Sequence, residues 1–132
     1  MLTTKLTNLV GCSVPVQQAG MGGVATADLV AAVARAGGLG MLGGVRVPAT
    51  SLADILDRLH NQTTGVFGVN FLMPFLDKQC VEVAASKARV VEFFYGDPDP
   101  DLVKLVHTGG ALAAGKSGPS TRPGRLGMLA AT

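Results

Sequence analysis

Five short apolar runs, each followed by a turn and an amphipathic stretch, constrain this chain more than any other feature. They begin at Val14, Leu39, Val66, Val90 and Ala111, a spacing of 21 to 27 residues, which is the step of a short β/α unit. The runs VPVQQA (14–19), 39–42, VFGVNF (66–71), VVEFF (90–94) and 111–114 are near-continuously apolar rather than alternating. Strands of that kind are covered on both faces, and so they pair in parallel. The segments between them read as helices. Thr26 suits an N-cap, with Asp28 in the first turn, and Leu29, Val30, Val33 and Ala36 fall on one helical face before Gly37. Ser51 with Asp54 has the spacing of a capping box, and Leu52, Ile55, Leu56 and Leu59 line a second apolar face. Asp77 opens a helix through about Lys87, and Asp99 with Pro100 forms an N-cap and N1 pair for a helix to about Thr108.

Parallel β/α repeats build either an open doubly wound sheet or a closed eightfold barrel. A closed barrel typically takes about 250 residues, and this chain has 132. Rhythm and length alone therefore favour an open, flavodoxin-like sheet. The apolar share of 48% excludes a disordered chain, and the 18 glycines follow no collagen-like period. A formal charge of +2 is too balanced to select nucleic acid or a membrane surface as a partner. The uncharged stretch 6–27 is long enough to span a bilayer, but Asn8, Pro15, two glutamines and four glycines interrupt it, so no membrane helix is expected. No signal-peptide pattern precedes Pro15, and the expected location is the cytoplasm. Cys12 and Cys80 stand apart from each other and from any histidine pair, and read as two buried free thiols rather than a redox or metal motif.

A few residues carry chemistry. The turn Ala19-Gly20-Met21-Gly22-Gly23, between a strand and a helix N-terminus, lets backbone amides approach an anionic or planar ligand, although it also reads as a plain tight turn. It is neither a dinucleotide fingerprint nor a P-loop. Gly37-Gly38 and Gly43-Gly44 read as a helix stop and close packing. Asn70, near the C-terminal end of an apolar strand, offers a donor and an acceptor to a heterocycle edge, or else serves a local turn. His60 and His107 fall near helix C-termini and read as solvated caps. The prolines of Asp97-Pro98-Asp99-Pro100-Asp101 leave its carboxylates no convergent geometry for a cation, and helix capping explains them. Glu92 lies in the fourth strand at a position that can line a barrel, with no role assigned to it.

Read together, VPVQQAGMGGVATADLVAAVARAGGLGMLGG, FGVNFLMPF and VVEFFYGDPDPDLVKLVHTGGALAA resemble the nitronate monooxygenase family, formerly called 2-nitropropane dioxygenases. The resemblance covers about residues 5–114, and GMGG, AGGLGMLGG and GVNF carry it. It implies an α/β fold of the (β/α)₈ TIM-barrel type, here partial, with about four β/α units of parallel strands and an irregular C-terminal tail. Its implied cofactor is FMN. By matching position, Met21 and Gly22 contact the flavin through their backbone and Asn70 contacts FMN, while Gly20 stands where the family more often has Pro. The implied substrate is a small anion, a nitronate bound over the flavin and oxidised with O₂, the organic work being the cofactor's. The related FMN-dependent enoyl-acyl-carrier-protein reductases share the first half of the pattern. The family's catalytic His lies on a later strand, and neither His60 nor His107 stands in its motif, so no catalytic residue or metal ligand is assigned. A half barrel also leaves strand edges through which copies can associate. The alternative is a small non-catalytic α/β domain holding a phosphate-containing ligand at Gly20–Gly23.

Residues 1–114 thus read as the N-terminal half of an FMN-dependent barrel, and 115–132 as an irregular basic tail. The first part holds 8 basic and 9 acidic side chains, whereas the second holds Lys116, Arg122 and Arg125 with no acid. Restoring one lost base before the codon for Gly115 permits the reading WQVGSLDEARQARDAGCD, which completes a strand and opens an amphipathic helix. The expectation is a frameshifted, truncated flavoenzyme that is inactive as it stands.

Overall fold

In the computed structural model, which describes residues 2–96, 98–115 and 127–129, side-chain oxygens start most of the helices. Thr4 opens α1 (Lys5–Val10) in a reciprocal cap with Thr7, and α1 stops at Gly11, whose φ is 90°. The polar residues Thr4, Lys5, Thr7 and Asn8 hide this helix from an apolar-run reading. Thr26 accepts from Leu29 N to open α2 (Ala27–Arg35), as expected. Asp77 accepts from Gln79 N to open α4 (Lys78–Lys87), and Asp99 accepts from Leu102 N to open α5 (Pro100–Gly109). Between them α3 (Ala49–Gln62) follows Pro48 without a side-chain cap. The expected capping box of Ser51 and Asp54 does not form, because Ser51 already lies inside the first turn.

Four strands pair in parallel in the order β1 (Gly40–Gly43), β2 (Phe67–Leu72), β3 (Val90–Phe94), β4 (Leu112–Gly115). Their order in space follows the chain, and α2 to α5 gather on one face. Leu42, Val69, Phe71, Val91, Phe93 and Ala113 form a single core with Val30, Leu52, Leu56, Leu59, Val81 and Val106. A doubly wound sheet reverses its strand order and carries helices on both faces. The flavodoxin-like expectation is therefore overturned, and the fold is a partial (β/α)₈ barrel whose crossover helices α3 to α5 run on the outside. A short strand β5 (Gly127–Leu129) pairs antiparallel with β4. The remainder of the tail read as irregular, 116–126 and 130–132, lies outside the described residues.

The first expected strand, 14–19, shrinks to one parallel bridge between Gln17 and Leu39. Pro15 has no N–H to give, and the Val16 N–H turns back to the Val14 carbonyl at 2.8 Å. Gln18 replaces the next backbone rung with its side chain, accepting from Met41 N at 3.2 Å and donating to Met41 O at 2.9 Å. The face of α2 also differs from expectation. Ala27, Val30, Ala31 and Ala34 are buried, while Leu29 and Val33 are half-buried and Ala36 is exposed. The helix lies so close to β1 that a β-carbon on Gly40 would overlap the Val30 carbonyl oxygen. Small residues make that approach possible.

The inner face of the sheet has its own, smaller core, in which Leu39, Met41, Val90 and Leu112 meet Val10 and Cys12 under α1. Arg89 fastens this plug, donating to the carbonyls of Val10 at 3.1 Å and Leu9 at 2.7 Å. Both cysteines are free and buried. His60 stands at the end of α3, but its Nε2 meets the Lys87 carbonyl at 2.7 Å and so caps the neighbouring helix α4.

Candidate functional site

In a strand, residues two apart share a face. Phe67, Val69 and Phe71 of β2 belong to the outer core, so Gly68, Asn70 and Leu72 turn inward. On β3, Val91 and Phe93 face outward and Glu92 with Phe94 inward. The register sets Gly43, Asn70, Glu92 and Ala114 in one row across the sheet. The α1 plug covers the N-terminal ends of the strands. At their C-terminal ends the inner face opens into a groove of about 480 Å³, with Gln17, Gly20, Asn70 and Glu92 among its polar and backbone lining and Leu72, Phe94 and Tyr95 as apolar walls.

Asn70 is only 4% exposed. Its Nδ2 donates to Glu92 Oε2 at 3.0 Å, and Gln17 Nε2 donates to Glu92 Oε1 at 3.2 Å. An ionised carboxylate only accepts, so it fixes which end of each amide faces it. Gly20 seats directly on Asn70, where a β-carbon would overlap Asn70 Cβ and lie 3.2 Å from its Cγ. Beside it, a β-carbon on Gly43 would come within 3.0 Å of Gly22 N and Cα. The glycine turn is thus pressed onto the end of β1 by two missing side chains. Ala25 N closes it with a 2.8 Å bond to Met21 O, and the N–H groups of Gly20, Gly22 and Gly23 make no hydrogen bond among the described residues.

Of the residues singled out in the sequence, Asn70 lines the groove, and Gly22 packs beside it over Gly43, the strand partner of Asn70. Met21 keeps an exposed side chain, and its backbone holds the turn. Sequence reasoning left out Gln17 and gave Glu92 no part. The period of two that points Asn70 inward also points Glu92 inward, and that signal was available. Tyr95 was missed as well. It follows β3 with φ 57°, and Gly96 after it has φ 151°, a left-handed turn that a bulky aromatic adopts only under constraint from its surroundings. Its ring meets Phe94 edge-on at 5.8 Å beside the groove.

The described residues contain no cluster of His, Cys, Asp and Glu fit for a metal ion, and no helix among them is long and apolar enough to cross a membrane. A smaller hollow of about 320 Å³, lined by Cys12, Ser13, Arg35 and Thr63 among others, lies at the opposite end of the strands. Cys80 is inert by its setting. Burial first, then the neighbouring Asp77 charge and hydrogen bond, push its thiol above the ordinary range, and its Sγ points to the Val47 carbonyl at 3.2 Å.

Comparison with known proteins adds three findings. A family model described as nitronate monooxygenase matches residues 3–108. Among curated proteins, the chain is 46% identical over 112 residues to the (3aS,4S,5R,7aS)-5-hydroxy-7a-methyl-1-oxo-octahydro-1H-indene-4-carboxyl-CoA dehydrogenase of Rhodococcus jostii. It is 37% identical over 112 residues to the enzyme of the same name from Mycobacterium tuberculosis. Each match covers 84% of this chain and 32% of the relative, so the chain spans about a third of their length. Probable nitronate monooxygenases of Staphylococcus aureus are 39% identical over 70 residues, 53% of this chain and 20% of theirs. Among solved structures, a methionine-to-alanine variant of FabK from Thermotoga maritima superimposes with a TM-score of 0.79 at 30% identity, covering 86% of this chain and 39% of FabK. Nitroalkane oxidase from Streptomyces ansochromogenes gives a TM-score of 0.73 at 27% identity, covering 83% of this chain and 41% of that one.

Proposed function

The chain belongs to the nitronate monooxygenase family, a family of oxidoreductases, and from that premise we propose that its groove is the flavin end of an FMN-dependent enzyme. One observation carries the reading. Asn70, Glu92 and the glycine turn, distant in sequence, meet at the C-terminal ends of parallel strands, the end where barrels of this kind place their chemistry. The residues present fit a flavin ring. Three N–H groups without partners among the described residues lie in the turn over Gly43, the Asn70 amide lies at the groove floor, and Leu72, Phe94 and Tyr95 supply apolar walls. Among the described residues the groove is lined by no Lys or Arg, so these residues suit the ring system and not its phosphate.

FMN, when bound, supplies the two-electron acceptor. The chain's own part is to hold one polar edge at Asn70, to let the turn backbone approach through Gly20 and Gly22, and to keep water off the apolar walls. The family resemblance makes oxidation of a nitronate with O₂ the first expected reaction. Dehydrogenation of a hydroxyl-bearing CoA thioester is the second reading. It is favoured by the dehydrogenases that match 84% of this chain, against 53% for the probable nitronate monooxygenases. Both are activities of longer proteins. On this reading residues 1–114 are the N-terminal half of such a barrel, 115–132 are translated out of frame, and the 132-residue chain alone turns over no nitronate. The open edge at residues 14–19 then invites pairing between copies.

Titration of the chain with FMN tests the reading. Saturable quenching of flavin fluorescence is expected, with about tenfold weaker binding in Asn70→Ala, roughly one lost hydrogen bond in a buried site. No saturable binding overturns it. DNA sequencing past the codon for Ala114 tests the frame: an intact frame there removes the frameshift.

A further inference from the structure

Among the described residues that line the groove, Glu92 is the only one with a charged side chain. It is half-buried, and its two oxygens are met by the amides of Asn70 and Gln17, at 3.0 and 3.2 Å. Neutral amides satisfy a carboxylate without cancelling its charge. The ion pair found among the described residues, Lys87 with Asp57, lies elsewhere on the surface. A negative charge therefore stands at the open end of the inner face, where an apolar wall on one side weakens screening by water.

The carboxylate also decides what a ligand meets. Because it only accepts, Asn70 and Gln17 must turn their NH₂ ends toward it, each giving one of its two N–H groups and turning its carbonyl oxygen away. The polar corner then presents a negative charge with unspent carboxylate lone pairs and two fixed amide oxygens, and its donors, the second N–H of each amide and the backbone of the turn, carry no formal charge to offset it. We propose that Glu92 sets the substrate class of this groove: a neutral group that donates a hydrogen bond, such as a hydroxyl, and not a small anion such as a nitronate. The proposal rests on the groove being the flavin end of such an enzyme, with its substrate entering beside the ring where Glu92 stands, and it selects the hydroxyl-bearing substrate over the nitronate. Glu92 acts here as a positioning and charge-selecting residue, holding two amides in one orientation.

A matched pair of probes tests it on the full chain: propane-2-nitronate, an anion, and acetone oxime, its neutral hydroxyl-bearing counterpart of similar shape. Binding is read from the side-chain amide signals of Asn70 and Gln17 in NMR titrations, with FMN absent and present. The oxime is expected to bind at least about tenfold tighter than the nitronate. Glu92→Gln brings the two within about threefold, mainly by improving nitronate binding, and Glu92→Asp restores part of the preference. Should Glu92→Gln fail to fold, salt serves instead, since raising it from about 0.01 to about 1 M shortens the screening length from roughly 30 to 3 Å and narrows the preference in the unaltered chain. Equal or tighter nitronate binding, an unchanged ratio in Glu92→Gln, a ratio insensitive to salt, or no shift of either amide overturns the proposal. If the preference holds while FMN fails to bind, the flavin reading falls and the charge selection stands.

Discussion

On the outer face of the sheet, Val69, Val91 and Phe93 are wholly buried beneath α2 to α5. On the inner face the same strands carry Gly68, Asn70, Glu92 and Phe94, and α1 covers only one end of them. One residue along the strand separates a side chain that holds the fold together from one that faces a groove. The outer face tolerates little because its side chains interlock with four helices. The inner face near the groove is spared that duty, and a strand there can hold a polar residue such as Glu92 so long as it finds donors. A paired substitution at adjacent residues of β3 should separate the two roles. Phe93→Ala is expected to cost about 3–5 kcal/mol, read from urea unfolding, whereas Phe94→Ala, half-buried on the groove wall, should cost about 1 kcal/mol or less. Equal losses would mean that the inner face bears as much of the stability as the outer.

Gly20→Ala sharpens the comparison from the groove side. The new β-carbon overlaps Asn70, so about 1–3 kcal/mol of strain is expected, together with a displaced Asn70 side-chain amide signal and loss of its bond to Glu92. Arg89→Ala probes the plug. Two charge-assisted bonds to the end of α1 are lost, but Arg89 is exposed, so about 1 kcal/mol is the expected effect, with amide exchange quickened in α1 and unchanged in α3 to α5.

The buried thiol gives a pH test confined to the outer layer. Cys80 keeps its proton in the folded chain at a pH where an unfolded thiol, near about 8.5, has lost it. The unfolded state then binds fewer protons, and stability is full below that value and declines as pH rises above it. Urea midpoints at pH 7 and pH 10 should show the fall, and Cys80→Ala should remove this group's share of it. The surface pair of Lys87 and Asp57, at 2.5 Å, should matter least: Asp57→Asn is expected to cost under about 0.5 kcal/mol.

Much of the outer layer was legible in the sequence because its signals are local. The run 90–94 became β3 to the residue, and Thr26, Asp77 and Asp99 cap the helices their spacing announced. Ser51 misled because Pro48 starts α3 a turn earlier, and the 14–19 strand failed because Pro15 and the Gln18 side chain occupy its hydrogen-bonding positions. Whether four strands curl one way or are wound both ways is a non-local property that residue rhythm does not encode. Asn70 was visible as a polar residue in an apolar run. Its partnership with Glu92 and Gln17 was not, because it joins residues 22 and 75 positions apart that only the closed register brings together.

The fastening of α1 by Arg89 also dictates an order of events during synthesis. The bonds join Leu9 and Val10 to a residue 80 and 79 positions later. At roughly 5–20 residues per second, the first helix is translated about 4–16 s before its clasp. Throughout that interval Leu6, Leu9 and Val10 have no inner core to enter, since Val90 and Leu112 are also still unmade. A segment made well before its partners is thus among the last to find its place, which makes it the natural point of hold for a chaperone or of attack for a protease.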